Sequence, residues 1–157
     1  MGRIDYLHDP DAPPANSVVP SVVAFVQNGA GQVLMIQRSD NGRWALPGGG
    51  HDAGEFISDT VVREVWEETG IKVEIIDMSG IYTDPGHVLA YDDGEVRQQF
   101  SICFRARPIG GELQTSNETT QVRWVAPTDL ADFDIHPTMR LRIEHAMDAS
   151  RPTPYIG

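Results

Sequence analysis

Four glutamates crowd together just after a glycine-rich turn: Glu55, Glu64, Glu67 and Glu68 follow Leu46-Pro47-Gly48-Gly49-Gly50. On a helix turning about 100° per residue, Glu64, Glu67 and Glu68 fall within an arc of roughly 100°. Ile57, Val61, Val62, Val65 and Trp66 take the remaining, mostly opposite side, so one face can anchor in a core while the other presents oxygen ligands. Like charges on one helical face repel each other by about a few tenths of a kcal/mol per pair, and no lysine is interspersed to relieve them. A bound cation removes that penalty. Mg²⁺ is hard, prefers oxygen, and is typically held by one or two carboxylates together with substrate phosphates. The glycines at 48–50 let backbone approach a metal or phosphate without an intervening side chain. Gly70 stands where a left-handed residue ends a helix. Taken alone, Glu67-Glu68 describes any charged, exposed helix after a Gly-Pro turn; the complete pattern asks for more.

The remaining elements must hold this segment in place. Valine-rich Val18 to Val26, the turn Asn28-Gly29-Ala30-Gly31, and Gln32 to Ile36 read as two strands joined by a hairpin. Further strands are expected over Lys72 to Met78, on both sides of Asp92-Asp93-Gly94 with Val96 to Arg105 the longer, and over Val122 to Val125, with Gly110-Gly111 as a break. Helical patterns cover Glu55 to Thr69 and Pro137 to Met147, the second with Met139, Ile143 and Met147 at four-residue spacing. Such a mixture favours an α/β fold, a mixed sheet covered by helices. Residues 1–17 carry three prolines and no hydrophobic pattern, and read as an N-terminal arm; 18–149 form the domain and 150–157 a tail.

A chain of 157 residues has the length of one domain, and 40% hydrophobic with 22% charged residues is ordinary globular composition. The net charge of −11 argues against a nucleic-acid polymer as partner, because non-specific affinity for phosphate backbones comes from Lys and Arg. A small polyphosphate remains open, since divalent cations reverse the sign of the local field. The apolar run Val22-Val23-Ala24-Phe25-Val26 is far shorter than the roughly 20 residues that span a bilayer. With no signal-peptide pattern at the N-terminus, a cytoplasmic location is expected. The lone Cys103, between Ile102 and Phe104, reads as a structural strand residue.

The glycine-to-glycine segment resembles the signature of the Nudix hydrolases, matched without a gap by Gly49, Glu55, Arg63-Glu64, Val65, Glu67-Glu68, Gly70 and Ile71: nine positions across 23 residues. Gln37-Arg38, Trp44-Ala45-Leu46-Pro47 and the stretch from Glu118 to Trp124 are also similar to the family. The resemblance implies a Nudix-type α/β/α sandwich around a mixed β-sheet, and a Mg²⁺-dependent hydrolase, with Mn²⁺ as a substitute metal. It implies Glu67 and Glu68 as principal metal ligands, Glu64 as a further ligand or the base, and Gly48 as a backbone-carbonyl ligand. Arg63 belongs to the catalytic cluster, orienting the carboxylates with Glu55. Glu118 stands where many members place another ligand or base. Two departures concern helix entrance and packing, not the metal: Phe56 where a capping hydroxyl is common, and Thr60 where alanine is.

For the substrate, Arg38, Arg43 and Arg97 are candidates for phosphate contacts, and Trp44 and Tyr82 for stacking on a base. His51, His87 and His136 could each face the site. Tyr82 to His87 resembles a segment of members acting on ADP-ribose. The expected substrate is therefore a small nucleotide, a nucleoside diphosphate linked to another moiety such as ADP-ribose. A (d)NTP pyrophosphohydrolase is the alternative among enzymes, and a nucleotide-sensing module the alternative outside catalysis. Family precedent and the proline-bearing arm make a homodimer the expected assembly.

Overall fold

The computed structural model describes residues 2–157. Its strands are β1 (Arg3–Leu7), β2 (Ser17–Val26), β3 (Val33–Arg38), β4 (Trp44–Ala45), β5 (Gly48–Gly50), β6 (Ile71–Tyr82), β7 (His87–Tyr91), β8 (Val96–Gly111), β9 (Thr119–Val125) and β10 (Tyr155–Ile156). The α-helices are α1 (Ile57–Thr69) and α2 (Pro137–Met147), with a 3-10 turn at Pro127–Asp132.

The spine is β8, which pairs in parallel with β2 along one edge and antiparallel with β7 and then β6 along the other. β5 closes the far edge of β2. A separate three-stranded sheet runs β4-β3-β9. Alternation along β2 divides the core: Val22, Ala24 and Val26 pack with Val61 and Val65 of α1, while Val23 and Phe25 pack with Ile143 and Ala146 of α2. The sheet is therefore covered by a helix on each face, the expected sandwich, because strand side chains point alternately to opposite sides.

Several local expectations change. β2 and β3 touch through a turn and one bridge, Gln27 to Val33, but enter different sheets. The edges of β2 are already taken by β8 and β5, so the hairpin cannot continue. β8 runs through Gly110 to Gly111, where φ is +87°, instead of stopping at the glycines. The N-terminal segment is not without structure: β1 lies antiparallel to β7, with Asp5 opposite Leu89. The last residues also pair, β10 running parallel to β6. No helix among the described residues is long and apolar enough to cross a membrane.

Candidate active site

Gly48 to Gly50 form the short edge strand β5, and α1 begins seven residues later. In an antiparallel ladder alternate residues exchange both backbone bonds with the neighbour. Ala24 N–H donates to Pro47 O and His51 N–H to Pro20 O. That alternation turns the peptide groups of Gly49 toward β2 and those of Gly48 away from it. The Gly48 N–H accordingly donates to Glu68 Oε1 at 2.8 Å, which leaves the Gly48 carbonyl on the same outward side. A Cβ on Gly48 would lie 2.0 Å from the Val22 carbonyl oxygen, and one on Gly49 would lie 2.4 Å from the Glu64 carboxyl carbon.

Helix α1 starts without a side-chain hydroxyl cap. Phe56 holds the N-cap place with its ring 80% exposed, and its N–H donates to Asp59 Oδ2 at 3.0 Å. Thr60 is buried and takes up Glu55 Oε1 and His51 Nδ1. That contact ties His51 to the base of the loop. Gly70 ends the helix at φ +75°, its N–H donating to Trp66 O. Val61 and Val65 are buried as expected, but Val62 and Trp66 are exposed. Among the described residues, Lys72 Nζ sits over that flank, 5.5 Å from the Trp66 ring.

The three glutamates of the helix are not equivalent. Glu67 is exposed, Glu64 half-buried, and Glu68 only 5% exposed. Burial pushes the Glu68 carboxyl up to about 8, against the help of the Gly48 N–H, with the Glu64 and Glu118 charges adding to the rise. Burial likewise raises Glu64, partly offset by Arg63. Arg63 is the hub that balances them. Its Nε and Nη2 reach both oxygens of Glu55 at 2.7 and 2.9 Å, Nη1 reaches Glu64 at 2.8 Å, and Nη2 reaches the Gly50 carbonyl at 3.1 Å. Glu55 is held at about 2 by that guanidinium. The sequence brought Arg63 and Glu55 into the cluster by resemblance; their bidentate geometry holds the carboxylates and the loop together. Glu118 is exposed on the loop before β9, yet its charge acts on both Glu64 and Glu68.

These donors fit a hard divalent cation. They are carboxylate oxygens and one outward backbone carbonyl, and a buried carboxylate raised by desolvation is what a cation would relieve. The metal-free protein carries a testable cost of this arrangement. Between the ordinary 4.5 and about 8, an unfolded Glu68 has released the proton that the folded one keeps. Fewer protons bound in the unfolded state means that stability falls as pH rises through that window. In chelator, the melting temperature of the wild type relative to Glu68→Gln is expected to decline from about pH 5 to about pH 8; a difference that grows with pH contradicts the assignment.

Beside the loop, on the α2 face of the sheet, lies a cavity of about 260 Å³. Gly48 to Gly50, Glu118, Arg38, Arg43 and Trp44 reach it. Arg38 is tied to Asp40 at 2.7 Å, Arg43 lies 3.9 Å from Asp134, and Arg97, also lining the cavity, is tied to Glu95 at 2.7 Å. Trp44 packs edge-on against Phe133 at 4.9 Å and also lines the cavity. Tyr82 does not stand in the cavity wall, against the expectation of base stacking. It is 5% exposed, stacked on Tyr155, with its hydroxyl 2.8 Å from His145 Nδ1. A side chain with both its ring and hydroxyl engaged in the core has no free face for a base.

In the far part of the cavity lie His87 and His136, both named from the sequence, and Asp5, which sequence reasoning missed. There His87 and His136 stack at 5.2 Å, and with Asp5 they place ligand-type atoms within 4.8 Å of one another. Asp5 comes from β1, which carried no local signal, although the two histidines had been marked.

The NUDIX domain profile matches residues 18–146. A MutT-like protein of Streptomyces ambofaciens is 36% identical over 141 residues, covering 90% of this chain and 83% of that one. An ADP-ribose pyrophosphatase of Methanocaldococcus jannaschii is 31% identical, covering 73% and 61%. The nucleoside triphosphatase NudI of Escherichia fergusonii is 30% identical, covering 76% and 89%. The matched span takes in the glycine edge strand, the glutamate helix and the sheet that fixes one against the other, and by it this chain belongs to the Nudix hydrolases, enzymes that act on phosphoanhydrides.

Proposed function

We propose that this protein is a Mg²⁺-dependent hydrolase of a nucleoside diphosphate linked to another moiety, ADP-ribose or a related nucleotide. The observation that carries this is the Glu68 carboxylate, buried against the Gly48 N–H beside Glu64 on one helix face. When bound there, Mg²⁺, or Mn²⁺ in its place, supplies charge neutralisation at phosphoryl oxygens and acidifies a water. Glu67, Glu68 and the Gly48 carbonyl hold the cation, and Glu64 is a further ligand or takes the proton of the attacking water. Arg63 fixes Glu64 through the 2.8 Å contact and ties it to Glu55 and Gly50. Glu118 approaches from the loop before β9 as a further ligand or base. Arg38, Arg43 and Trp44 line the cavity where phosphates and a base are received.

Room for a second moiety supports a linked diphosphate, because the cavity extends across β2 and β8 well beyond Gly50. The relative named for ADP-ribose hydrolysis supports the choice of nucleotide. A panel of nucleotide derivatives, assayed with Mg²⁺ and with chelator and with products identified, tests the reading. ADP-ribose is expected to give AMP and ribose phosphate, and nothing in chelator. Preferred conversion of a nucleoside triphosphate to monophosphate and pyrophosphate would replace it with the triphosphate reading. The protein is further proposed to act in the cytoplasm as a homodimer and on no nucleic-acid polymer.

A further inference from the structure

Six buried side-chain polar atoms among the described residues lack a hydrogen-bond partner, and five of them line one cavity: Arg3 Nε, Asp5 Oδ1, His87 Nε2, Ser101 Oγ and Arg142 Nε. Buried polar groups are nearly always satisfied, so a concentration of exceptions in a concave site marks where a polar ligand completes the structure. The charges there are not balanced. Arg3 Nε lies 3.3 Å from Asp5 Oδ1, and each offsets the other. Arg142 is 2% exposed and has no such partner; the groups that act on it are Cys103 and Tyr82, with no carboxylate among them. It rests on the Tyr82 face at 4.7 Å, a contact that stabilises a cation without neutralising it.

We propose that Arg142, with Ser101 and His87, receives a phosphoryl group at the far end of the substrate's second moiety, one that ADP-ribose itself lacks, so that the favoured substrate is a related nucleotide carrying a further phosphate. This rests on the hydrolase reading above and names the chemistry at the other end of the same cavity. The donors arrive from three elements: Arg142 from α2, Ser101 from β8 and His87 from β7. They outnumber the two oxygens of a carboxylate and suit a tetrahedral group, with the guanidinium supplying the charge-assisted bonds. Strand register sets the spacing. Gly50 pairs with Ser21, and Ser21 with Ser101, so Ser101 sits two strands, or about 10 Å, from the loop. A sugar can bridge that separation.

A transition metal on Asp5, His87 and His136 is the competing occupant. Two features oppose it. Arg3 and Arg142 both act on His87 with the sign that repels a cation. His136 caps α2 by accepting the Thr138 N–H at its Nδ1, 3.2 Å away; in the neutral ring that leaves the proton on Nε2 and no free lone pair.

Calorimetric titration of the full chain with inorganic phosphate, in chelator, tests the proposal apart from catalysis, since metal-free glutamates repel phosphate. Saturable binding is expected in the wild type and, undiminished, in Glu68→Gln. Arg142→Met is expected to weaken it by about tenfold or more, the scale of a lost bond to a charged group. Because Arg142 is buried and its loss could unfold the chain, Ser101→Ala and Arg142→Lys serve as further variants, each expected to bind several-fold more weakly. No phosphate binding by the wild type, or equal binding by all folded variants, overturns the proposal. So does stoichiometric Zn²⁺ binding that His87→Ala abolishes, which would assign the cluster to a metal. Phosphate binding without turnover of any nucleotide would leave this subsite standing and remove the hydrolase reading alone.

Discussion

Glu68→Gln is expected to lower turnover of the preferred nucleotide by roughly 10³-fold while leaving a folded protein. A metal ion acting on phosphoryl oxygens contributes several kcal/mol to the transition state, and each 1.36 kcal/mol is about tenfold in rate. On the proposed reading the substitution removes a negative ligand without changing its shape. Stability moves in the other direction: the buried carboxyl is raised to about 8 by desolvation, so in chelator near neutral pH the amide should melt no lower than the wild type. Steady-state kinetics and melting curves measured on one preparation check both halves. Glu67→Gln is expected to share the rate loss, but Glu67 is exposed and should leave melting unchanged. Full activity in both variants would show that the helix face holds no catalytic metal.

The second large effect separates two adjacent glycines. Gly48→Ala places a Cβ 2.0 Å from the Val22 carbonyl oxygen, a backbone atom of the central strand β2. Neither side can yield without breaking the β2 ladder, and a cost of about 3 kcal/mol or more is expected, at the upper end of overpacking. Against a total stability of roughly 5–15 kcal/mol, that is a pronounced fall in melting temperature. Gly49→Ala instead meets the Glu64 carboxyl group at 2.4 to 2.6 Å, the mobile end of a side chain. Glu64 can swing away, so the fold should survive with little change while hydrolysis drops sharply. Denaturant midpoints and kcat for both variants decide it. Equal destabilisation of the two would mean that Glu64 is not free to move and that the site is held more rigidly than its contacts indicate.

What could be read from the sequence was whatever repeats along the chain. The 100° step of a helix put Glu64, Glu67 and Glu68 on one side, and the valine-rich stretch placed β2 within a residue of its observed span, whereas β6 and β8 run on past Met78 and Arg105 to Tyr82 and Gly111. The same step could not say which flank a neighbour covers, and Val62 and Trp66, grouped with the core face, are exposed. Nor could it rank the glutamates. Glu68 is buried where it meets Gly48, twenty residues earlier, and Glu67 is left outside. β1 escaped notice because an edge strand takes its order from its partner, and Asp5 pairs with Leu89 across the length of the domain. Tyr82 reads as a base-stacking candidate for want of any local sign that Tyr155 and His145 stack on it.

β1 lies ahead of the stretch that matches the NUDIX domain, yet Arg3 and Asp5 help wall the cavity. On the proposed reading, the reacting end of the cleft is encoded by the glycine turn and the glutamate helix, and part of the opposite end by a ribbon clipped to β7. If that reading holds, exchanging the ribbon is expected to redraw the choice of substrate without touching the machinery that cleaves it.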